Sequence, residues 1–212
     1  MLRYNYKTTD KLFWTSDTHF SHKNIMQYCD RPFSSIEEMN ETLISNWNSV
    51  VDLDATVFHL GDFAFGTIAQ WEEVRFRLNG EIHLILGNHD FHNYTNYRER
   101  LEKMFASVTM QQVIEVGKHK IWMNHYPFLT FAGIYREKNP AIELFGHTHT
   151  KSQSRGADTS RLDYALPTQY DVGVDLNNFT PVPFSVIHER IQYQRANNTN
   201  VMHWATTQTD NK

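Results

Sequence analysis

The sequence predicts an α/β domain in which strands and helices alternate through the first half and strands dominate the second. Two patterns carry that reading. Until about residue 105, apolar runs of strand length are separated by segments whose apolar residues recur every three or four positions; beyond it the strand signal prevails. Five of the strand-like runs also stop at a cluster of His, Asp or Asn, and in open α/β sheets the carboxyl ends of strands are where ligands bind. At 212 residues the chain suits a single domain spanning 1–212 with a sizeable core.

Lys11 to Ser16 is the first strand, and Thr15-Ser16-Asp17 turns out of it. Residues 22–30 make a short helix closed by Arg31-Pro32. Ser35, with Glu38 three residues on, reads as a capping box, and Ile36, Met39, Leu43, Trp47 and Val50 follow at helical spacing. Asp52 to Asp54 is a polar break before a second strand, Thr56 to Leu60. Gly66 and Thr67, with Gln70, open the next helix; Ile68, Trp71, Val74 and Leu78 form its buried stripe, and Asn79-Gly80 ends it. A third strand runs through Leu86, and Tyr94 to Phe105 is a polar helix. Residues 108–116 and 119–124 read as two strands joined around Gly117-Lys118, with further strands at 141–145, Asp171 to Val174 and Phe184 to His188. Lys151 to Tyr170, rich in Ser, Thr, Arg, Gln and Asp, is expected to be a long loop, and Asn197 to Lys212 a polar, frayed tail.

Composition excludes several classes. Hydrophobic residues at 40% and charged residues at 21% are ordinary globular values, which argues against disorder. No apolar run reaches 18 residues, and Met1 to Asp10 holds no signal-like apolar stretch, so no membrane partner is expected. A net charge of −4 leaves no whole-chain footprint for nucleic acid, and no stable nucleic-acid complex is expected. Cys29 is the only cysteine, so no intramolecular disulfide forms and the cytoplasm is the expected location. The 12 histidines are the compositional oddity, because neutral imidazole is the commonest protein metal ligand.

The strand ends show which histidines belong together. Asp17-x-His19 and His147-x-His149 each place two side chains on one side of an extended segment, aimed at one small volume. Asp62 and Asn88 follow glycines, where the backbone turns sharply and comes close to a bound ion. His125 ends a further strand. Any one of these pieces is commonly a turn or a surface residue; five strand ends together are a metal site built from the nitrogen and oxygen ligands that divalent ions take. Two ions bridged by a carboxylate would absorb the ligands on offer.

The ordered set Asp17-x-His19, Gly61-Asp62, Gly87-Asn88-His89-Asp90, His125 and Gly146-His147-x-His149 resembles the calcineurin-like metallophosphoesterases. The flanks Ser16 to Ile25, Arg31-Pro32-Phe33, Trp47-Asn48, His59 to Phe63 and Gly173-Val174-Asp175 resemble a compact, stand-alone subfamily and extend the likeness over nearly the whole chain. The resemblance implies a four-layer α/β/β/α sandwich of two mixed sheets, with the metal site at strand C-terminal ends. It makes Asp17, His19 and His149 ligands of one metal, Asp62 a bridge, and Asn88, His125 and His147 ligands of a second. His89 takes the place of the general acid and Asp90 that of the carboxylate orienting it. The ions it implies are two divalent metals, Mn, Fe, Ni or Zn, with a metal-bridging hydroxide as nucleophile.

The substrate expected from this set is a phosphate-ester small molecule or nucleotide, a phosphodiester being favoured. The His89/Asp90 pair would assist a high-pKa leaving group, and no arginine cluster is evident to grip a dianion. A phosphomonoester or a dinucleotide polyphosphate is the alternative on the same site. A catalytically silent binding scaffold is the reading from another class, and the complete ligand set argues against it. His22, three residues after His19, and Arg31 are candidate substrate contacts, each set against a structural role at a helix end.

Overall fold

The computed structural model describes residues 4–8, 10–150 and 162–207. Two five-stranded mixed sheets lie face to face. The first has the order β10-β2-β3-β4-β5, with β2 Leu12–Thr15, β3 Thr56–His59, β4 Glu81–Ile85 and β5 Ser107–Thr109 parallel and β10 Val182–Pro183 antiparallel at its edge. The second has the order β1-β6-β7-β8-β9, formed by β1 Tyr4–Tyr6, β6 Gln111–Val116, β7 His119–Asn124, β8 Ile142–Phe145 and β9 Gln169–Asp171. Among the described residues, only the β6–β7 hairpin breaks its parallel pairing.

Strand alternation builds two cores. Trp14, Phe58 and Ile85 of the first sheet meet Ile114, Ile121, Met123 and Leu144 of the second. Trp14 stacks on Phe58 and donates its Nε1–H to the Met123 sulfur at 3.0 Å, so one indole ties the sheets together. On the other face of the first sheet, Val57, Ile82 and Leu84 pack beneath α2 Ile36–Val50, α3 Ile68–Arg77 and α4 Phe91–Met104, with the short α1 Ile25–Tyr28 beside them. At a second helical layer, α5 Phe184–Asn197 sends Phe184, Ile187 and Ile191 into the inter-sheet core.

The helix starts follow the sequence closely. Thr67 caps α3 in a full capping box with Gln70. At α2 the Ser35 hydroxyl accepts from the Glu38 N–H at 3.1 Å, but the Glu38 carboxylate reaches back one residue further, to the Ser34 N–H at 2.8 Å.

Four expectations change. Residues 108–116 are not one strand: the chain bends at Met110, leaving β5 in the first sheet and β6 in the second. Phe184 to His188 opens helix α5, because its apolar residues continue at helical spacing through Ile187 and Ile191. Within the expected loop 151–170, residues 151–161 lie outside the described residues, but Gln169 and Tyr170 pair with Glu143 and Leu144. Within the expected tail 197–212, residues 202–207 form helix α6, with Val201 and Ala205 buried against the core; residues 208–212 lie outside the described residues.

Candidate metal centre

All five strand ends singled out in the sequence converge on one edge of the sandwich. The loops after β2 and β3 are joined by backbone bonds, Asp17 N–H to Gly61 O at 2.9 Å and His19 N–H to Asp62 O at 3.0 Å. Ser16 bridges across to Gly173, just past β9 of the second sheet, and on that sheet's side the Gly146 N–H bonds to His125 O at 2.9 Å. Asp17, His19, Asp62, His147 and His149 all have positive φ, between 45° and 68°. Non-glycine residues pay for that conformation, and such strain collects at functional sites. Gly87 shows how close the loops lie, since a Cβ there would sit 2.3 Å from Asp62 Oδ1.

Among the described residues three groups of side chains are close enough to hold a metal ion: Asp17, His19 and His149; Asp62, His125 and His147; and Cys29, His149 and Asp175, the last sharing His149 with the first and having its Asp175 already engaged by Arg31. Asp62 joins the first two. Its Oδ2 is 3.5 Å from His19 Nε2 and 3.6 Å from His125 Nε2, and Asn88 Oδ1 is 3.1 Å from that same His125 nitrogen. Metal–ligand bonds of about 2 Å place neighbouring ligand atoms roughly 3–3.5 Å apart, so these separations suit a shared cation. Asp17 Oδ1 and His19 Nε2 are buried with no hydrogen-bond partner, which leaves them free for one.

The outer atoms of the histidines are held. His125 Nδ1 lies 2.7 Å from Leu60 O and His149 Nδ1 lies 2.7 Å from Asp175 Oδ2, so both Nδ1 atoms carry the proton and Nε2 faces the site. Burial holds His19 well below the ordinary histidine range, with His149 adding to it; burial also lowers His125, and takes His147 down to about 4. These rings are neutral, the form a metal accepts. Burial raises Asp17 to about 6 and raises Asp62 as well, against the pull of His149 on the first and of His125 on the second. His149 goes the other way: burial opposes its charge, but Asp17 and Asp175 raise it well above the usual value. A cation at Nε2 would replace that proton.

The model of the calcineurin-like phosphoesterase superfamily domain matches residues 11–163. The chain belongs to that superfamily. An uncharacterized protein of Methanocaldococcus jannaschii is 34% identical over 184 residues, covering 86% of this chain and 92% of the relative. The Gene 66 protein of Mycobacterium phage L5 is 40% identical over 81 residues, 37% of this chain and 39% of its own. A solved structure of a protein of unknown function from Aquifex aeolicus shares the fold at a TM-score of 0.63 and 23% identity, covering 84% of this chain and 97% of that one.

In this calcineurin-like phosphoesterase, two residues do other work than expected. Asp90 does not orient the His89 ring: its carboxylate accepts the N–H groups of Asp62 and Gly87 at 2.8 Å each and of Phe63 at 3.0 Å, clamping the β3 and β4 loops together. Burial and the nearby Asp62 charge push it up to about 8 against the pull of those N–H groups. Arg31 is not available to substrate. It is buried, and its Nε and Nη2 donate to Asp175 at 2.9 Å each, Nη2 to Asp17 O at 2.7 Å and Nη1 to Thr18 O at 3.0 Å. Burial opposes ionisation of Asp175, yet Arg31 and His149 hold it below the usual carboxylate range.

His89 and His22 both line a cavity of about 440 Å³ beside the ligands. His89 is partly exposed, with its Nε2 4.0 Å from Asp62 Oδ2; His22 stacks on Phe65 at 3.6 Å. Sequence reasoning gave no role to Asp175 as the carboxylate behind His149, or to Asp171, which accepts from the Thr148 hydroxyl at 3.0 Å and the Gly173 N–H at 2.7 Å. It also passed over Tyr126, whose ring lies 4.6 Å from that of His147. The His-Tyr pair at 125–126 and the Asp at a further strand end were signals that could have found two of them.

Proposed function

We propose that the protein is a dinuclear-metal-dependent phosphodiesterase, with Asp17, His19 and His149 holding one divalent ion, Asn88, His125 and His147 a second, and Asp62 shared between them. The observation that carries the reading is the position of Asp62 Oδ2, 3.5 Å from a nitrogen of one group and 3.6 Å from a nitrogen of the other. When bound, the metals supply Lewis acidity toward phosphoryl oxygens and a nucleophile at neutral pH. Mn, Fe, Ni and Zn all suit this nitrogen and oxygen donor set.

The chain's own residues position the rest. Asp175 and the Leu60 carbonyl keep the rings of His149 and His125 in one tautomer and one orientation. The backbone N–H of His89 donates to Asp62 Oδ1 at 2.9 Å, which fixes that residue at the cavity wall while its ring stays accessible. From there His89 gives a proton to the departing alkoxide oxygen. The diester preference rests on the cavity lining, which among the described residues contains no Lys or Arg to neutralise a dianionic monoester. A cytoplasmic location belongs to the same proposal, supported by the single, buried, unpaired Cys29.

The test is metal content and hydrolysis together. Metal-free protein reconstituted with Mn²⁺ should bind two ions per chain and cleave bis(p-nitrophenyl) phosphate faster than p-nitrophenyl phosphate. Asp62→Ala should lose at least one ion and the activity. A single bound ion in the wild type, or no phosphate ester cleaved with any of the four metals, overturns the reading.

A further inference from the structure

The cavity beside the metal ligands has two unlike halves. One half is the ligand set with His89. The other is built by His22, Ile25, Tyr28, Cys29 and Phe65, none of which bears a carboxylate, an ammonium or a guanidinium. The His22 and Phe65 rings stack at 3.6 Å with 13° between their planes, and the Tyr28 ring meets His22 edge-on at 6.3 Å. Phe65 stands only 5.6 Å from the ring of the ligand His19 and 4.8 Å from that of His89. Tyr28 is 49% exposed, so its ring is open to a bound group.

We propose that this aromatic wall is the subsite for a flat, uncharged ring carried by the phosphate ester, and that Tyr28 and Phe65 set the preference for nucleoside or aryl esters over sugar or alkyl esters. The proposal rests on the phosphoesterase reading of the adjoining ligands and names the substrate class of that same site. Three features support it. The wall begins one ring's distance from the metal ligands, so the bound group hangs directly from the phosphate or through a short linker. Aromatic walls hold planar rings by stacking, whatever hydrogen-bonding groups the rings carry. A second phosphate would find no Lys or Arg among the described lining residues, so a nucleoside monophosphate unit fits better than a polyphosphate chain.

Calorimetry on Mn²⁺-loaded protein tests this at the binding step, using AMP, phenyl phosphate, ribose 5-phosphate and inorganic phosphate. AMP or phenyl phosphate should bind about tenfold more tightly than ribose 5-phosphate, in line with the stacking of one ring. A gain for AMP alone assigns the wall to a nucleobase; a gain for both assigns it to any flat ring. Tyr28→Ala should erase the gain and leave inorganic phosphate binding unchanged, while Tyr28→Phe keeps it; Phe65→Leu is a second, independent probe. Equal binding of AMP, phenyl phosphate and ribose 5-phosphate by the wild type overturns the proposal, as does a gain that survives both Tyr28→Ala and Phe65→Leu. Failure of the phosphoesterase reading is seen separately, as binding with no hydrolysis of any ester.

Discussion

Replacing Arg31 by methionine separates a structural role from a substrate role. The side chain is fully buried, as is that of its partner Asp175, and four of its N–H groups go to oxygen: two to the Asp175 carboxylate and one each to the carbonyls of Asp17 and Thr18. Methionine has similar length and suits the contact with Met39, so the change removes charge and donors more than volume. Breaking a buried pair by deleting one partner costs about 3–5 kcal/mol, because the remaining charge is left without compensation. For a chain of this size that corresponds to a drop in Tm of roughly 6–20 °C. Asp17 and His19 would also lose the clamp on a loop held at φ 57° and 50°, and metal affinity should fall roughly 10–100-fold. Arg31→Lys keeps the charge but offers one nitrogen in place of a planar fork, so its melting loss should be intermediate. Calorimetric melting of metal-free and metal-loaded protein, with metal titration, reads both effects. An Arg31→Met variant that melts within about 2 °C of the wild type and keeps its metal while raising only KM would refute the structural role.

Other expectations follow from the same geometry. His89→Ala should keep its metal while kcat on an alkoxide-leaving diester falls by about 10²–10⁴-fold, and by less with a p-nitrophenolate leaving group; equal losses on both would remove the acid role. Gly87→Ala drives a methyl group into Asp62 Oδ1 and N, 2.3 and 2.5 Å from the new carbon, so elemental analysis should find metal lost along with stability. Glu143 is buried on β8 and pushed up to about 8 by burial, although Phe128 N–H and Gln169 donate to it. Because its folded value lies above the unfolded one, its contribution is fully present below about pH 4.5 and is lost as the pH rises toward 8. Denaturant unfolding of Glu143→Gln should show a flatter decline between pH 5 and 8 than the wild type; identical slopes would contradict the assignment.

The candidate ligand set could be read early because each part is a local pattern. Asp17-x-His19 and His147-x-His149 occupy strand exits whose apolar runs announce them, and glycines precede Asp62 and Asn88. The α2 and α3 starts were equally local, each with its cap three residues from a partner. Where the reading failed, the pattern was too short or too continuous. Five residues from Phe184 fit a strand as well as a helix, and only the later Ile191 and Gln194, buried like Phe184 and Ile187, separate the two. The run 108–116 contains no signal that its halves join different sheets.

By itself, then, the sequence determined the alternating α/β order, the strand ends whose His, Asp and Asn side chains converge, and the family to which they point. Tertiary structure alone decided what stands behind those ligands. Arg31 and Asp175 are 144 residues apart, and Asp90 clasps N–H groups of two separate loops. Spacing along a chain encodes which side chains share a strand face or a helix turn. It does not encode which buried charge meets which across the sheets, because that depends on how several loops pack at once. Hence the sequence left Arg31 open between a substrate contact and a structural role and read Asp90 as a catalytic acid's partner, when both hold together the loops that carry the candidate metal ligands.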